Sequence, residues 1–213
     1  MMTQSNGNQI AFIIPYRDRF AHLKTFVPHI RQRFPGAPIL VIEQESGKPF
    51  NRGKLLNIGF LHFNSLFDYF AAHDVDMLPT KADYSFAERP THLATKVQQF
   101  GYKMPYPDYF GGVTLFNKID FEIVNGYSNE FWGWGGEDDD IYNQFGKHQI
   151  AIDRRECEFK SLLHDHKIDF QLHRKNCARL ADGRQAGDGL TSCEYHVIST
   201  QFINDYIQLK VML

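Results

Sequence analysis

The chain has 213 residues, of which 43% are hydrophobic, so it is long enough to bury a core and has the usual size of one domain. Its 23 basic and 25 acidic side chains nearly balance, which argues against a nucleic-acid-binding protein or one drawn to anionic membranes. No apolar run reaches the length of a membrane span or a signal peptide, and three cysteines cannot all pair within one chain. We therefore expect a disordered polar N-terminus over residues 1–8, a single domain over residues 9–213, and a soluble, monomeric, cytoplasmic protein.

The first third of the chain shows an alternating strand and helix pattern. Continuous apolar runs at residues 10–14, 39–42 and 69–72 predict strands that are buried on both faces. Asp18 is a plausible N-cap for a helix after the first strand, and Asn51 for a helix after the second. This alternation predicts parallel strands joined by right-handed crossovers.

The rest of the chain shows a weaker pattern. Residues 112–116 predict a further strand, and a helix should run from Glu137 to Phe145 and end at Gly146. Little periodicity is present over residues 164–190, which predicts a long loop or a mobile lid. The mixture of β-branched and aromatic residues over 195–211 predicts a closing edge strand.

Two aspartates and two histidines have a spacing along the sequence that would suit metal ligands. Asp74 and Asp76 follow the third predicted strand, where residues i and i+2 of an extended chain face the same way. His164 and His166 have the same spacing, and nitrogen and oxygen ligands together suit manganese or zinc better than magnesium. The alternative is a solvated strand end and two surface histidines.

The run over residues 131–140, FWGWGGEDDD, contains two tryptophans, three glycines and four acids. Glycines allow the backbone to approach a ligand closely, and an indole offers a flat face that suits a sugar ring. Four successive carboxylates repel one another unless a cation, a substrate hydroxyl or a helix N-terminus stabilises them. The run therefore predicts a ligand site, with an acidic helix start after a glycine turn as the alternative.

Five segments, taken in order, resemble the β-1,4-galactosyltransferases, glycosyltransferase family 7. They are residues 15–19 (PYRDR), 50–60 (FNRGKLLNIGF), 73–79 (HDVDMLP), 109–113 (YFGGV) and 131–140. Residues 164–166 (HDH) are most similar to the subgroup that galactosylates xylose in the proteoglycan linker. Residues 100–112 are more similar to the lactose and N-acetyllactosamine synthases.

The resemblance implies an α/β protein with a GT-A fold, in which a Rossmann-like nucleotide-binding half with a mostly parallel sheet is fused to a loop-rich acceptor-binding half. It also implies Mn²⁺ as cofactor, UDP-galactose as donor, and a saccharide or glycoconjugate acceptor of the xylose, glucose or N-acetylglucosamine type. The reaction would be an inverting transfer that forms a β-1,4 linkage. An N-terminal membrane anchor and Golgi residence would also follow, if such an anchor had been removed from this chain.

The same resemblance assigns roles to individual residues. Asp138 would be the catalytic base, and Tyr109 would limit the space beside C2 of the donor sugar. The donor would be bound by Pro15, Tyr16, Arg17, Arg19, Phe50, Arg52, Asp74, Tyr109, Trp134 and Glu137. The acceptor would be bound by Trp134, Asp138 and Asp139, and the metal by Asp76, His164 and His166.

Three other readings of the sequence stay open at this stage. An N-acetylgalactosaminyltransferase of the same fold would use a donor with a bulkier C2 substituent. A sugar-binding module without catalysis would keep nucleotide affinity, although the presence of Asp138 argues against it. A metallohydrolase would use the Asp and His side chains to activate water and would release product without an acceptor.

Overall fold

The computed structural model describes residues 7–163 and 168–213. Short 3₁₀ turns cover Asn64–Leu66, Gln98–Phe100 and Leu190–Ser192. The strands and helices, in chain order, are β1 (Ile10–Tyr16), α1 (Phe20–Arg33), β2 (Ile39–Gln44), α2 (Arg52–Phe63), β3 (Tyr69–His73), β4 (Met77–Lys81), β5 (Thr91–His92), β6 (Lys96–Val97), β7 (Val113–Asn117), α3 (Lys118–Ile123), α4 (Glu137–Lys147), β8 (Asp153–Arg154), β9 (Glu158–Ser161), α5 (Phe170–Asp182), β10 (His196–Ile203) and β11 (Tyr206–Met212).

Within the described residues, a large sheet has the strand order β10-β11-β2-β1-β3-β7-β5-β8. Its centre is parallel, because β1 pairs in parallel with β2 and β3, and β11 pairs in parallel with β2. A second sheet, in the order β4-β9-β6, lies beside the carboxyl end of β3. The α/β architecture with a mostly parallel sheet confirms the fold class that the sequence predicts.

Helices cover both faces of the central strands. On one face, Phe12 and Ile14 of β1 belong to the same core as Phe26 of α1. On the other face, Ile13 belongs to a core with α2, where a Cβ at Gly59 would lie 2.5 Å from Cγ2 of Ile13. The glycine therefore allows α2 to lie directly on the sheet. This packing brings the start of α2 to the carboxyl ends of the parallel strands, where open α/β sheets bind their ligands.

The two N-caps that the sequence predicts have different outcomes. Asn51 caps α2, since its side-chain oxygen accepts a hydrogen bond from the backbone N–H of Lys54 at 2.9 Å. The prediction for Asp18 is wrong: α1 begins after Arg19, which makes no side-chain cap bond, and Asp18 has a φ of 53°. A capping side chain needs an extended backbone at the residue that directly precedes the helix, and Asp18 has neither that conformation nor that position.

Two predictions about the second half of the chain are also wrong: the end of α4 at Gly146 and the long loop over residues 164–190. Gly146 lies inside α4, and the left-handed residue after the helix is Gln149, with a φ of 57°. The segment predicted as a long loop contains α5, whose N-cap Asp169 accepts from the backbone N–H groups of Gln171 and Leu172. The one buried residue of α5 is the polar Asn176, so the segment has only a weak apolar signal for a helix.

The C-terminal region forms a hairpin rather than the single edge strand that the sequence predicts. Strands β10 and β11 are antiparallel, and β11 is inserted between β10 and β2 with Leu209 and Val211 fully buried. Asn204 has a φ of 42° in the two-residue turn between them. Among the described residues, none of the helices has the length and apolar character that crossing a membrane requires.

Candidate active site

Arg52, the first residue of α2, connects three parts of the chain. Its Nε donates to Oδ1 of Asp74 at 2.6 Å, and its Nη1 donates to Oδ1 of Asp138 at 2.7 Å. The same Nη1 lies 3.7 Å from Oε1 of Glu137. The Arg52 side chain is only 11% exposed, so these contacts form in a largely desolvated environment. One guanidinium therefore binds the carboxylate after β3 and faces the two carboxylates that begin α4.

Asp74 and Asp76 lie in a turn between β3 and β4. The carbonyl of Asp74 accepts from the backbone N–H of Met77 at 3.2 Å, and the N–H of Asp74 donates to the carbonyl of Gly112 at 3.0 Å. The extended geometry that the sequence predicts for this pair is wrong, since the chain reverses here to start β4. Burial and the charge of Asp74 raise the pKa of Asp76 to about 7, while Arg19 and Arg52 oppose the shift.

The first turn of α4 presents the other carboxylates. Glu137 and Asp138 follow Gly136, and the N-terminal end of a helix favours negative charge. Burial raises the pKa of Asp138 well above its usual range, and the charges of Glu137 and Asp74 add to the shift although Arg52 opposes it. Burial likewise raises the pKa of Glu137. Because burial and the neighbouring carboxylates disfavour the ionised form, Asp138 is a stronger proton acceptor than an exposed aspartate.

Asp140 is separated from this cluster. It is buried in an ion pair with Arg184, whose Nε donates to its Oδ2 at 2.8 Å. Arg184 also donates to the backbone carbonyls of Val124 and Gly126. Asp138 and Asp140 therefore have different partners although they are two residues apart, and Asp140 joins α4 to the segment that follows α5.

Tyr109 and Asp138 lie on either side of Gly111. A Cβ at Gly111 would lie 2.6 Å from Oδ2 of Asp138 and 2.9 Å from Cε2 of Tyr109. Tyr106 donates its hydroxyl to Oδ1 of Asp139 at 2.9 Å, and its ring centroid lies 5.5 Å from that of Tyr109. Because Gly111 has no side chain, the ring of Tyr109 can lie directly beside the carboxylate of Asp138.

The glycine-rich loop, residues 131–136, is bound to α5. Asn176 of α5 is buried, and its Nδ2 lies 3.0 Å from the carbonyl of Trp132, 3.3 Å from that of Trp134 and 2.9 Å from that of Gly135. Trp134 is 53% exposed, with its ring centroid 5.0 Å from that of His173. An indole is therefore presented to solvent close to the first turn of α4. Nothing in the sequence pattern distinguishes Asn176 from a surface asparagine.

The predicted nucleotide-binding residues lie at the carboxyl ends of β1 and β2. Pro15 and Tyr16 are the last two residues of β1, and burial raises the pKa of Tyr16. Arg17 donates to the carbonyl of Lys48 at 2.7 Å, and its guanidinium carbon lies 5.4 Å from the centre of the Phe50 ring. Arg19 precedes α1, and its charge lowers the pKa of Asp76.

Buried asparagines join the start of α2 to the loop that precedes the glycine-rich segment. Asn51 donates to the carbonyl of Asn129 at 2.7 Å. Asn57 donates to the carbonyl of Tyr127 at 2.7 Å and accepts from the N–H of the same residue at 2.9 Å. These bonds fix Arg52 relative to the loop that leads to α4. Sequence analysis identifies only the capping role of Asn51.

Two of the three predicted metal ligands, His164 and His166, lie outside the described residues. Across residues 7–163 and 168–213, the structure shows no group of three or more His, Cys, Asp or Glu side chains placed to hold a metal. Asp76 fits a divalent cation, since it is a half-buried carboxylate whose charge is close to that of Asp74. The backbone N–H of Leu162 donates to the carbonyl of Asp76 at 2.7 Å, so the chain passes beside Asp76 two residues before His164.

These features define an α/β protein with a GT-A-like fold and an acidic site at the carboxyl ends of its parallel strands. A family model described as the N-terminal region of glycosyl transferase group 7 matches residues 4–87, and one described as the N-terminal domain of galactosyltransferase matches residues 91–167. Human β-1,4-galactosyltransferase 6 is 38% identical over 200 residues, covering 88% of this chain and 52% of its own length. The chain belongs to the β-1,4-galactosyltransferase family, glycosyltransferase family 7.

Solved structures agree with this assignment. The catalytic domain of Drosophila β-1,4-galactosyltransferase 7, in complex with xylobiose, superposes with a TM-score of 0.82 at 29% identity, covering 97% of this chain and 94% of that one. A variant of the Drosophila enzyme in complex with manganese, UDP-Gal and xylobiose gives a TM-score of 0.80 at 28% identity over the same shares. The chain spans about half the length of the curated relatives that it matches.

Proposed function

We propose that this chain transfers galactose from UDP-galactose to a saccharide hydroxyl with inversion, forming a β-1,4 linkage in the presence of Mn²⁺. The observation that carries the proposal is the convergence of Asp74 and Asp138 on Arg52 at the carboxyl ends of the parallel strands. Family membership and the Drosophila complex with manganese, UDP-Gal and xylobiose support it.

In this proposal, the donor lies across the ends of β1 and β2. Pro15, Tyr16 and Phe50 would surround the uridine, while the guanidinium groups of Arg17 and Arg19 would face the diphosphate, since planar forks match phosphate oxygens. Arg52 and Asp74 would bind the nucleotide sugar further along the same edge. Glu137, which is buried beside Arg52, would accept hydrogen bonds from galactose hydroxyls.

The metal would be held by Asp76, His164 and His166, together with diphosphate oxygens. The hydrogen bond from Leu162 to Asp76 supports this assignment, since it brings the chain to Asp76 just before the two histidines. Nitrogen and carboxylate ligands together suit manganese. When bound, the cation supplies Lewis acidity that stabilises the charge on the departing UDP.

Asp138 would act as the base. The acceptor oxygen attacks the anomeric carbon as the bond from that carbon to the UDP oxygen breaks, and the hydroxyl proton passes to the Asp138 carboxylate. The raised pKa of Asp138 suits this role because it increases the basicity of the carboxylate. Asp139 would contact acceptor hydroxyls, and Trp134 would lie over the sugars and exclude water that could hydrolyse the donor.

Acceptor class and donor choice are the finer parts of this proposal. The xylobiose bound by the Drosophila relative favours a xylose-type acceptor over glucose or N-acetylglucosamine. The half-buried Tyr109 beside Asp138 supports galactose as the transferred sugar, since its ring would crowd a substituent larger than hydroxyl at C2. An N-acetylgalactosaminyltransferase is the alternative that a donor screen distinguishes.

The test is a screen of UDP-sugars with and without Mn²⁺ against xylosides, glucosides and N-acetylglucosaminides. We expect transfer from UDP-galactose that needs Mn²⁺, and a loss of about 10²–10⁴-fold in kcat for Asp138→Asn with UDP affinity preserved. Asp182→Asn, at the exposed end of α5, is the matched control and should keep full activity. Full activity of Asp138→Asn would reject the base assignment, and release of free galactose without any acceptor would indicate a hydrolase.

A further inference from the structure

The segment that carries Tyr109, residues 104–111, is held by one arginine side chain. We call this segment the tyrosine loop. Arg154 donates from Nη1 to the carbonyl of Tyr109 at 2.7 Å and from Nη2 to the carbonyl of Pro107 at 2.9 Å. The Nη1 atom also lies 3.3 Å from the sulfur of Met104. One guanidinium therefore binds three residues of the tyrosine loop.

The position of Arg154 follows from strand pairing. Strand β8 pairs in parallel with β5, and this register places Arg154 directly beside His92. The Nη1 atom of Arg154 lies 3.0 Å from Nδ1 of His92. Because a guanidinium can only donate, Nδ1 of His92 must be the acceptor, and Nε2 carries the ring proton.

His92 holds the other end of the tyrosine loop. Its Nε2 donates to the carbonyl of Gly111 at 2.9 Å, and the residue is fully buried. Burial lowers the pKa of His92 to about 4, which agrees with a neutral ring that both donates and accepts. Arg154 and His92 thus bind the backbone on both sides of Phe110.

Aromatic contacts complete the restraint on the Tyr109 ring. Its centroid lies 5.3 Å from that of His92 and 5.7 Å from that of Phe100, and both pairs meet edge to face. On its other side the ring faces the space at Gly111 that it shares with Asp138. With the backbone between Pro107 and Gly111 in place, these contacts limit how far the ring can move away from Asp138.

We propose that Arg154, acting together with His92, positions Tyr109 and thereby sets how strictly the site discriminates UDP-galactose from a UDP-sugar with a larger C2 substituent. This inference rests on the proposed function, in which the Tyr109 ring limits the space beside C2 of the donor. Arg154 is a positioning residue, since it touches the tyrosine loop and His92 rather than the reacting atoms.

The first variant is Arg154→Lys. Lysine has a single ammonium nitrogen. It cannot bind the carbonyls of Pro107 and Tyr109 and the His92 ring together, as the two terminal nitrogens of the planar Arg154 guanidinium do. The tyrosine loop then gains freedom, and the Tyr109 ring can give way to an N-acetyl group. We expect the ratio of kcat/KM for UDP-N-acetylgalactosamine to that for UDP-galactose to rise about ten-fold, within the range that pocket contacts of this size control.

Arg155→Lys is the matched control. Arg155 is the next residue in the chain, and it also binds backbone carbonyls, but those of Asp83, Ser85 and Phe86 in a different loop. We expect Arg155→Lys to lower stability to a similar extent and to leave the donor ratio unchanged. A role of Arg154 in stability alone would lower the kcat/KM values of both donors together, and their ratio would stay constant.

The double variant Tyr109→Leu with Arg154→Lys identifies the residue through which Arg154 acts. Tyr109→Leu alone should raise transfer from UDP-N-acetylgalactosamine, and Arg154→Lys should then add nothing to the ratio. The inference is overturned if wild-type protein transfers galactose and Arg154→Lys keeps the wild-type donor ratio, or if the two substitutions act additively. Absence of transfer from every UDP-sugar by the wild-type protein would overturn the proposed function itself, and this inference with it.

Discussion

The guanidinium of Arg52 lies within hydrogen-bond distance of Asp138, a residue 86 positions further along the chain, and it binds Asp74 at the same time. A single planar group thereby fixes the distance between the turn after β3 and the first turn of α4. The proposed metal ligand and the proposed base lie on these two elements, so their relative position depends on Arg52. The consequence is that Arg52 should serve both stability and catalysis.

We predict that Arg52→Met destabilises the fold by about 3–5 kcal/mol, because it leaves carboxylates buried without their cation. Arg52→Lys should keep part of this stability but lose more than ten-fold in kcat/KM, since one ammonium cannot bind Asp74 and Asp138 with the geometry of a fork. Urea unfolding and steady-state kinetics measure the two effects. Arg174→Met, on the exposed face of α5, is the control and should change neither quantity. Equal stability of Arg52→Met and wild type would contradict the role given to Arg52.

Stability should fall in mildly acidic solution because two buried histidines are neutral in the fold. Burial lowers the pKa of His73 to about 3 and that of His92 to about 4, from an ordinary value of 6.5. Below pH 6.5 the unfolded chain binds protons that the folded chain does not, so each histidine should remove about 2 kcal/mol between pH 7 and pH 5. The raised pKa values of Asp76, Glu137 and Asp138 act in the opposite direction, so the test compares variants.

His92→Asn removes one of these titrations and keeps an acceptor for Arg154. We expect this variant to be less stable at pH 7, and its free energy of unfolding to fall less steeply than that of wild type between pH 6.5 and pH 4. Urea unfolding at several pH values gives both slopes. His62→Asn, on the more exposed side of α2, should keep the wild-type slope. Parallel curves for His92→Asn and wild type would show that His92 is not the titrating group.

The central sheet and part of the site could be predicted from the sequence because their signals are local. Continuous apolar runs identify β1, β2 and β3, and Asn51 caps α2 as expected. The carboxyl ends of adjacent parallel strands meet at one edge of a sheet, so the position of Asp74 at that edge was predictable, while its role in binding a ligand stays a prediction.

The contacts that hold the site in place could not be predicted, because they depend on tertiary packing. Arg154 reaches the tyrosine loop only because β8 pairs with β5, and each of these strands has two residues. Asn176 is the polar side chain that α5 buries, and Asp140 turns away from Asp138 toward Arg184. In each case the residue type permits many partners, and only the fold selects one.

Asn176 should control the position of the tryptophan beside the site. Asn176→Leu removes the donor that faces the partly buried carbonyls of Trp132, Trp134 and Gly135, and the loss of such hydrogen bonds is unfavourable by about 1 kcal/mol. We expect faster protease cleavage within residues 131–136 and stronger quenching of tryptophan fluorescence by acrylamide. Gln171→Leu, on an exposed position of α5, should leave both measurements unchanged. Unchanged cleavage in Asn176→Leu would mean that other contacts hold the loop.

Metal and donor should stabilise the folded chain through Asp76. A ligand that binds only the folded state raises the melting temperature, and we expect Mn²⁺ with UDP to do so for the wild-type protein. Asp76→Asn should lose most of this increase, because an amide is a weaker ligand for a divalent cation than a carboxylate. Substitution of His164 or His166 by alanine should lose a comparable part. Asp83→Asn, an aspartate after β4 that lies beside Arg155, should keep the full increase. A full increase for Asp76→Asn together with both histidine variants would place the cation elsewhere.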